Sequence, residues 1–152
     1  MTPAERRPFF EGKWAGEGEI AGRGLLRWLM PREPFTISTE CDAISPTLWR
    51  VRDLMAFSRG GEIRRTMFVE RTGENRYHAT ADDMPLGADV ETDERGYRYS
   101  PYWSWSGIRG RKWFVRVRED GDFRDDGSVA GRIRVSWHGI PIALNRLSLR
   151  RV

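Results

Sequence analysis

Two charged residues fall where a strand alternation puts apolar ones. Asp53 lies between Val51 and Met55, and Arg65 between Ile63 and Met67. Burying either charge costs several kcal/mol unless a partner or a ligand compensates it. Two uses follow from the residue types. The pair is a structural ion pair, or Arg65 grips an acidic head group with its planar guanidinium while Asp53 orients it. If "FSRGGE" (residues 57–62) makes a bulged hairpin, Phe57 pairs with Ile63, Met55 with Arg65 and Asp53 with Met67. Asp53 and Arg65 are then diagonal neighbours on one face.

Other reactive residue types are sparse. His78 and His138 are the only imidazoles. His78 alternates with Tyr77 and Ala79, and His138 shares its parity with Arg134 and Ser136. Both therefore turn outward, away from any cleft that a catalytic base or a haem ligand would serve. Cys41 is the single cysteine, which precludes an intrachain disulfide and a cysteine metal cluster. It has inner parity and no histidine beside it, so it reads as a packed thiol. Asp82-Asp83 and Asp125-Asp126 are candidate acid–base or metal carboxylates, but adjacent residues point to opposite faces of a strand, and capping turns suits them better. No catalytic constellation, metal set or cofactor is expected from these residues. Gly16 to Ala21 matches G-x-G-x-x-A, a motif that holds pyrophosphate at a helix start. Here Glu17 and Glu19 would set negative charge against the phosphate, and no helix pattern follows.

The elements that carry these residues are strands. Gly12, Trp14, Gly16, Gly18 and Ile20 alternate with Lys13, Glu17 and Glu19. Phe35, Ile37, Thr39, Cys41 and Ala43 form a second inner set, and Trp49, Val51, Met55 and Phe57 a third. Ile63, Met67 and Val69 follow. Later come Tyr97, Tyr99, Trp103 and Trp105, then Trp113, Val115 and Val117, then Val129, Ile133, Val135 and Trp137. Turn residues separate these runs at Gly60-Gly61, Gly73 to Asn75, Glu94 to Gly96, Gly107 to Gly110, Asp120-Gly121 and Asp126-Gly127. "GLLRWLMPRE" (24–33) is either a helical turn over a barrel mouth or a continuation into the next strand, with Pro31 and Pro34 ending any helix. The glycines of the first strand relieve crowding where it bends to close a sheet, and leave interior volume unfilled. Eight to ten short antiparallel strands result, an all-β up-and-down barrel in one domain over 1–152.

The inner aromatic residues, Trp14, Trp49, Tyr97, Tyr99, Trp103, Trp105, Trp113 and Trp137, are core or the lining of a ligand cavity, together with Met55 and Met67. "YRYSPYWSW" has the rings and cations of a base-stacking platform. Its rings share one parity and point inward, so no nucleic-acid partner is expected. Of the 26 basic residues only Lys13 and Lys112 are lysines, yet 22 acidic residues hold the net charge to +4. Seven Trp, seven Phe and four Tyr supply a substantial core. No apolar run approaches a membrane span or a secretory leader, which implies a soluble, cytoplasmic protein.

Gly12-Lys13-Trp14 resembles the G-x-W of the first strand of calycins, the superfamily of lipocalins and fatty-acid-binding proteins. That resemblance implies a Trp14 packed at the closed end of a barrel under an arginine of the last strand, with Arg146, Arg150 and Arg151 as candidates. Residues 61–90 are similar to a bacterial calycin-like family known only as a domain of unknown function, with a G-E-x-x-x-R-x-W strand and R-Y-x-x-x-A-D-D. Gly61, Glu62, Arg65, Arg76, Tyr77, Ala81, Asp82 and Asp83 carry the match, with the spacing before Arg65 one residue shorter and Met67 in place of the tryptophan. "WHGIPIALNRLSLRR" looks like the final hairpin of that family. Gly12, Trp14, Gly16 and Gly18 also fit the first strand of the nitrobindin-like haem barrels, which makes haem an alternative cofactor. The expected function is non-catalytic binding of a small apolar or amphipathic ligand, its acidic head held by Arg65. A filled interaction barrel, a haem barrel and a calycin-type isomerase or cyclase are the alternatives.

Overall fold

Alternation in the sequence becomes a closed sheet. The computed structural model describes residues 7–106 and 112–152, with Trp105 and Ser106 described through their backbone alone. The turn expected over Gly107 to Gly110 lies outside the described residues. The strands are β1 (Gly12–Gly22), β2 (Glu33–Ser45), β3 (Leu48–Phe57), β4 (Glu62–Gly73), β5 (Arg76–Ala81), β6 (Met84–Thr92), β7 (Gly96–Tyr99), β8 (Tyr102–Ser106), β9 (Lys112–Phe123), β10 (Val129–Trp137) and β11 (Ile140–Arg151). All pairings are antiparallel, mostly between chain neighbours, and β11 returns to β1, with Trp14 opposite Arg151. β7 and β8 both pair with β9, Tyr99 opposite Glu119 and Tyr102 opposite Arg116. They act as one stave interrupted at Ser100-Pro101, where Pro101 has no N–H to give but its carbonyl accepts the Val117 N–H at 2.9 Å. The result is a closed, ten-stave, up-and-down antiparallel barrel.

The glycines of β1 are explained by closeness rather than by unfilled space. A Cβ on Gly18 would stand 2.4 Å from the Arg146 carbonyl oxygen and 2.6 Å from the Phe35 ring. The strand can cross β11 this tightly, and Phe35 can cover it, only because no side chain intervenes. The same reasoning corrects the turn expected at Asp120-Gly121, which lies inside β9. A Cβ on Gly121 would stand 2.1 Å from the Tyr97 ring, so this glycine seats an aromatic ring instead of reversing the chain. A turn the sequence reading omitted joins β10 to β11 at His138 and Gly139, both at positive φ (47° and 79°).

Both ends of the barrel are distinctive. At one end Phe9 stacks on Tyr97 (5.1 Å), and Phe10 meets Trp49 and Tyr77 edge-on (5.8 and 5.2 Å). Trp14 lies beneath the Arg151 guanidinium at 4.6 Å. Arg151 also donates to the carbonyls of Glu11 (2.6 Å) and Phe9 (2.9 Å), tying the N-terminal plug to the last strand. The lipocalin-like Trp–Arg closure is therefore present, and Arg151 rather than Arg146 or Arg150 supplies it. At the other end "GLLRWLMPRE" forms a 3₁₀ turn over Gly24–Arg27 at the barrel mouth. Two buried clusters fill the wall between, one around Trp49, Tyr77 and Met84, the other around Phe35, Val117 and Leu147.

A candidate ligand cavity

The β3–β4 hairpin sets the register of the site. The Phe57 N–H reaches the Gly61 carbonyl (3.1 Å), and Gly60 and Gly61 both take positive φ. The register is thus shifted by two residues of β4 from the bulged hairpin anticipated. Met55 faces Ile63, Val51 faces Met67, and Asp53 stands directly opposite Arg65 instead of diagonally.

The strands enclose a cavity of about 440 Å³ that runs from Phe9 and Phe10 at the plugged end to Ile20, Phe57 and Ile63 at the mouth. Its wall is mainly apolar, interrupted by a polar cluster around Arg65 and by Asn145, whose Oδ1 is buried without a hydrogen-bond partner among the described residues. The Arg65 Nη2 lies 3.5 Å from the Asp53 Oδ2 and 3.5 Å from the Tyr99 hydroxyl. Its guanidinium sits 4.4 Å over the Trp103 ring. The Thr39 hydroxyl donates to the other Asp53 oxygen at 2.7 Å. Across the cluster the Tyr97 hydroxyl donates to the Glu119 carboxylate at 2.6 Å.

Burial governs the titration of this cluster. It raises Glu119 above the ordinary carboxylate range, only partly offset by the Tyr97 hydrogen bond and Arg65. It likewise raises Tyr97 and Tyr99. For Arg65, burial works against the charge, but Tyr99 and Asp53 outweigh it and the guanidinium stays protonated. Burial also pushes the Cys41 thiol up to about 12, with Glu11, Asp42 and Asp53 adding to it, so the thiol is unreactive.

Of the residues expected to line a cavity, Trp14, Asp53, Met55 and Arg65 do so, as do Met67, Tyr97, Tyr99 and Trp103. Trp49 packs instead in the plug, donating its indole N–H to Glu11 at 3.0 Å. Trp113 and Trp137 meet edge-to-face at 5.1 Å in the wall near the mouth. The side chain of Trp105 lies outside the described residues. His78 is outside the barrel against Asp89 (2.8 Å), and His138 is exposed in its turn. Asp126 caps its turn by accepting from the Ser128 N–H at 2.9 Å. Asp83 does not simply cap. It lines the cavity, with its Oδ1 buried and lacking a hydrogen-bond partner among the described residues. No group of three or more His, Cys, Asp or Glu side chains among the described residues is placed to hold a metal ion.

Glu119 is the site residue that the sequence reading missed. Its signal was present, because it continues the inner parity of Trp113, Val115 and Val117.

No known protein family and no curated protein matches the chain. Solved structures do match in fold. The S-type phycobiliprotein lyase CPES from Guillardia theta superposes with a TM-score of 0.68 at 9% identity, over 95% of this chain and 89% of that one. Rv2717c from M. tuberculosis gives 0.64 at 8% identity, over 100% and 98%. A protein of unknown function of the DUF3598 family from Nostoc punctiforme gives 0.61 at 17% identity, over 98% of this chain and 51% of that one. At these identities the likeness speaks to architecture, and the architecture is the calycin-like β-barrel.

Proposed function

We propose that the barrel binds a small apolar or amphipathic molecule in its cavity without converting it, the polar end of the ligand at Arg65. The observation that carries this reading is an apolar cavity with a convergent polar cluster on its wall, the usual composition of a small-molecule site. Arg65 turns part of its guanidinium to the cavity, retaining 14% exposure, with Asp53 at 20% beside it. An acidic head group takes the open donors of Arg65 while Asp53 and Tyr99 fix the plane of the guanidinium. Its negative charge is accommodated when Glu119 holds a proton, the form that burial favours.

Decanoic acid, decanol and decylamine, titrated by intrinsic tryptophan fluorescence, test the reading. Decanoic acid is expected to bind best, and Arg65→Ala to weaken it more than decanol. Equal weakening of acid and alcohol removes Arg65 as the anchor, and no saturable response to any of the three removes the binding reading. The isomerase or cyclase alternative rests on one feature, a buried Glu119 with a raised pKa in the cavity wall, the kind of group that proton transfer uses. Recovery of a chemically altered ligand from the protein distinguishes it.

A further inference from the structure

The barrel mouth carries large apolar side chains that no other part of the described fold covers. The chain between β1 and β2 folds back on the rim, with the Gly22 N–H on the Met30 carbonyl and the Arg23 N–H on the Ile142 carbonyl, both at 3.0 Å. One side chain of its 3₁₀ turn, Leu26, packs inward on the cluster of Phe35, Ile142 and Leu147. That contact fixes the turn and leaves its neighbours pointing away from the protein. Leu25 is 88% exposed, Trp28 77% and Leu29 67%. Single exposed apolar residues are ordinary, but three such large ones on one short anchored loop are not.

The surrounding charge selects the partner. Arg32 is held by Glu19 and Arg64 by Glu62. Among the described residues Arg23, Arg27 and Arg59 make no ion pair, and Arg59 is brought to the same rim where its N–H donates to Glu33 at 2.9 Å. The Arg27 guanidinium lies 5.1 Å over the Trp28 ring. A tryptophan and two leucines at a loop tip, beside arginines with no ion-pair partner among the described residues, match the boundary of a bilayer that bears anionic head groups. A loop tip is a poor match to a protein partner, whose stable interface needs roughly 800 Å² per side.

We propose that this rim docks on an anionic membrane surface. Leu25, Trp28 and Leu29 enter the head-group boundary, Arg23, Arg27 and Arg59 meet lipid phosphates, and the cavity mouth opens toward the bilayer. The docking does not depend on what the cavity holds.

Co-sedimentation of the full chain with vesicles tests it, using phosphatidylcholine alone and phosphatidylcholine mixed with phosphatidylglycerol. The protein is expected to sediment with the mixed vesicles and to stay in solution with the neutral ones. Arg23→Gln and Arg27→Gln should each weaken the partition by roughly fivefold. The triple replacement of Leu25, Trp28 and Leu29 by serine should weaken it by at least about tenfold. Their melting temperatures should stay close to the wild type, because the replaced side chains are largely exposed. A wild-type protein that remains in solution with both vesicle types overturns the proposal. So does a triple-serine variant that sediments as well as the wild type. If the wild type is a dimer on light scattering and the triple-serine variant a monomer, the rim is a self-association surface and the membrane proposal fails.

Discussion

Arg65→Met keeps the apolar stem of the side chain and deletes its charge. Arg65 is the only basic residue among the described residues lining the cavity. The substitution therefore leaves Asp53 with the Thr39 hydroxyl as its remaining partner. Breaking a well-buried ion pair from one side costs about 3–5 kcal/mol. Two observations lower that figure here: both side chains keep some exposure to the cavity, and the 3.5 Å contact is longer than a strong charge-assisted hydrogen bond. The expected loss at neutral pH is about 2 kcal/mol, or roughly 4–8 °C in Tm for a chain of this size. Asp53→Asn should cost less, about 1 kcal/mol, because Arg65 keeps Tyr99 and the face of Trp103. The two substitutions together should cost less than their sum. Urea melts of the four proteins at neutral pH measure all of this. An Arg65→Met protein as stable as the wild type at neutral pH would refute the reasoning.

Three further outcomes follow from the same geometry. Arg151→Ala should destabilise the barrel by about 1–3 kcal/mol in thermal melts and expose the N-terminal plug to limited proteolysis, since the cation–π contact and two carbonyl hydrogen bonds are lost together. Gly18→Ala places a Cβ against backbone of β11 that cannot yield, and should cost more than about 2 kcal/mol by urea unfolding. Glu119→Gln tests the buried acid. Its raised pKa means that the stability Glu119 contributes is full below the unfolded value and is lost as pH rises through the folded one. The variant should therefore match the wild type in acid and exceed it in Tm at alkaline pH; a variant that is less stable at alkaline pH contradicts the assignment.

Most of the barrel was legible because one face of each long strand is buried, and burial writes period two into the sequence. Trp49, Val51 and Met55 show it in β3, as do Trp113, Val115 and Val117 in β9. β6 was not legible by alternation: Pro85 and Gly87 interrupt it, and the β5–β6 pairing shifts register between Ala79 and Ala81. Gly121 was misread because a glycine after an aspartate signals a turn equally well when its purpose is to seat a ring. The candidate site was half legible. Asp53 and Arg65 stood out as charges on apolar faces, but their exact opposition depends on the backbone of Gly60 and Gly61, which parity does not report. Glu119 was overlooked because it follows three apolar inner residues within a run of charges, "RVRED", where an acidic side chain looks like ordinary solvated surface.

Native mass spectrometry of freshly purified protein, set beside its denatured mass, tests the central claim most directly. The account predicts a retained adduct of a few hundred daltons that is lost on denaturation, or one that forms on incubation with decanoic acid and forms less with Arg65→Met. A bare native mass that stays bare with decanoic acid, decanol and decylamine alike would contradict it.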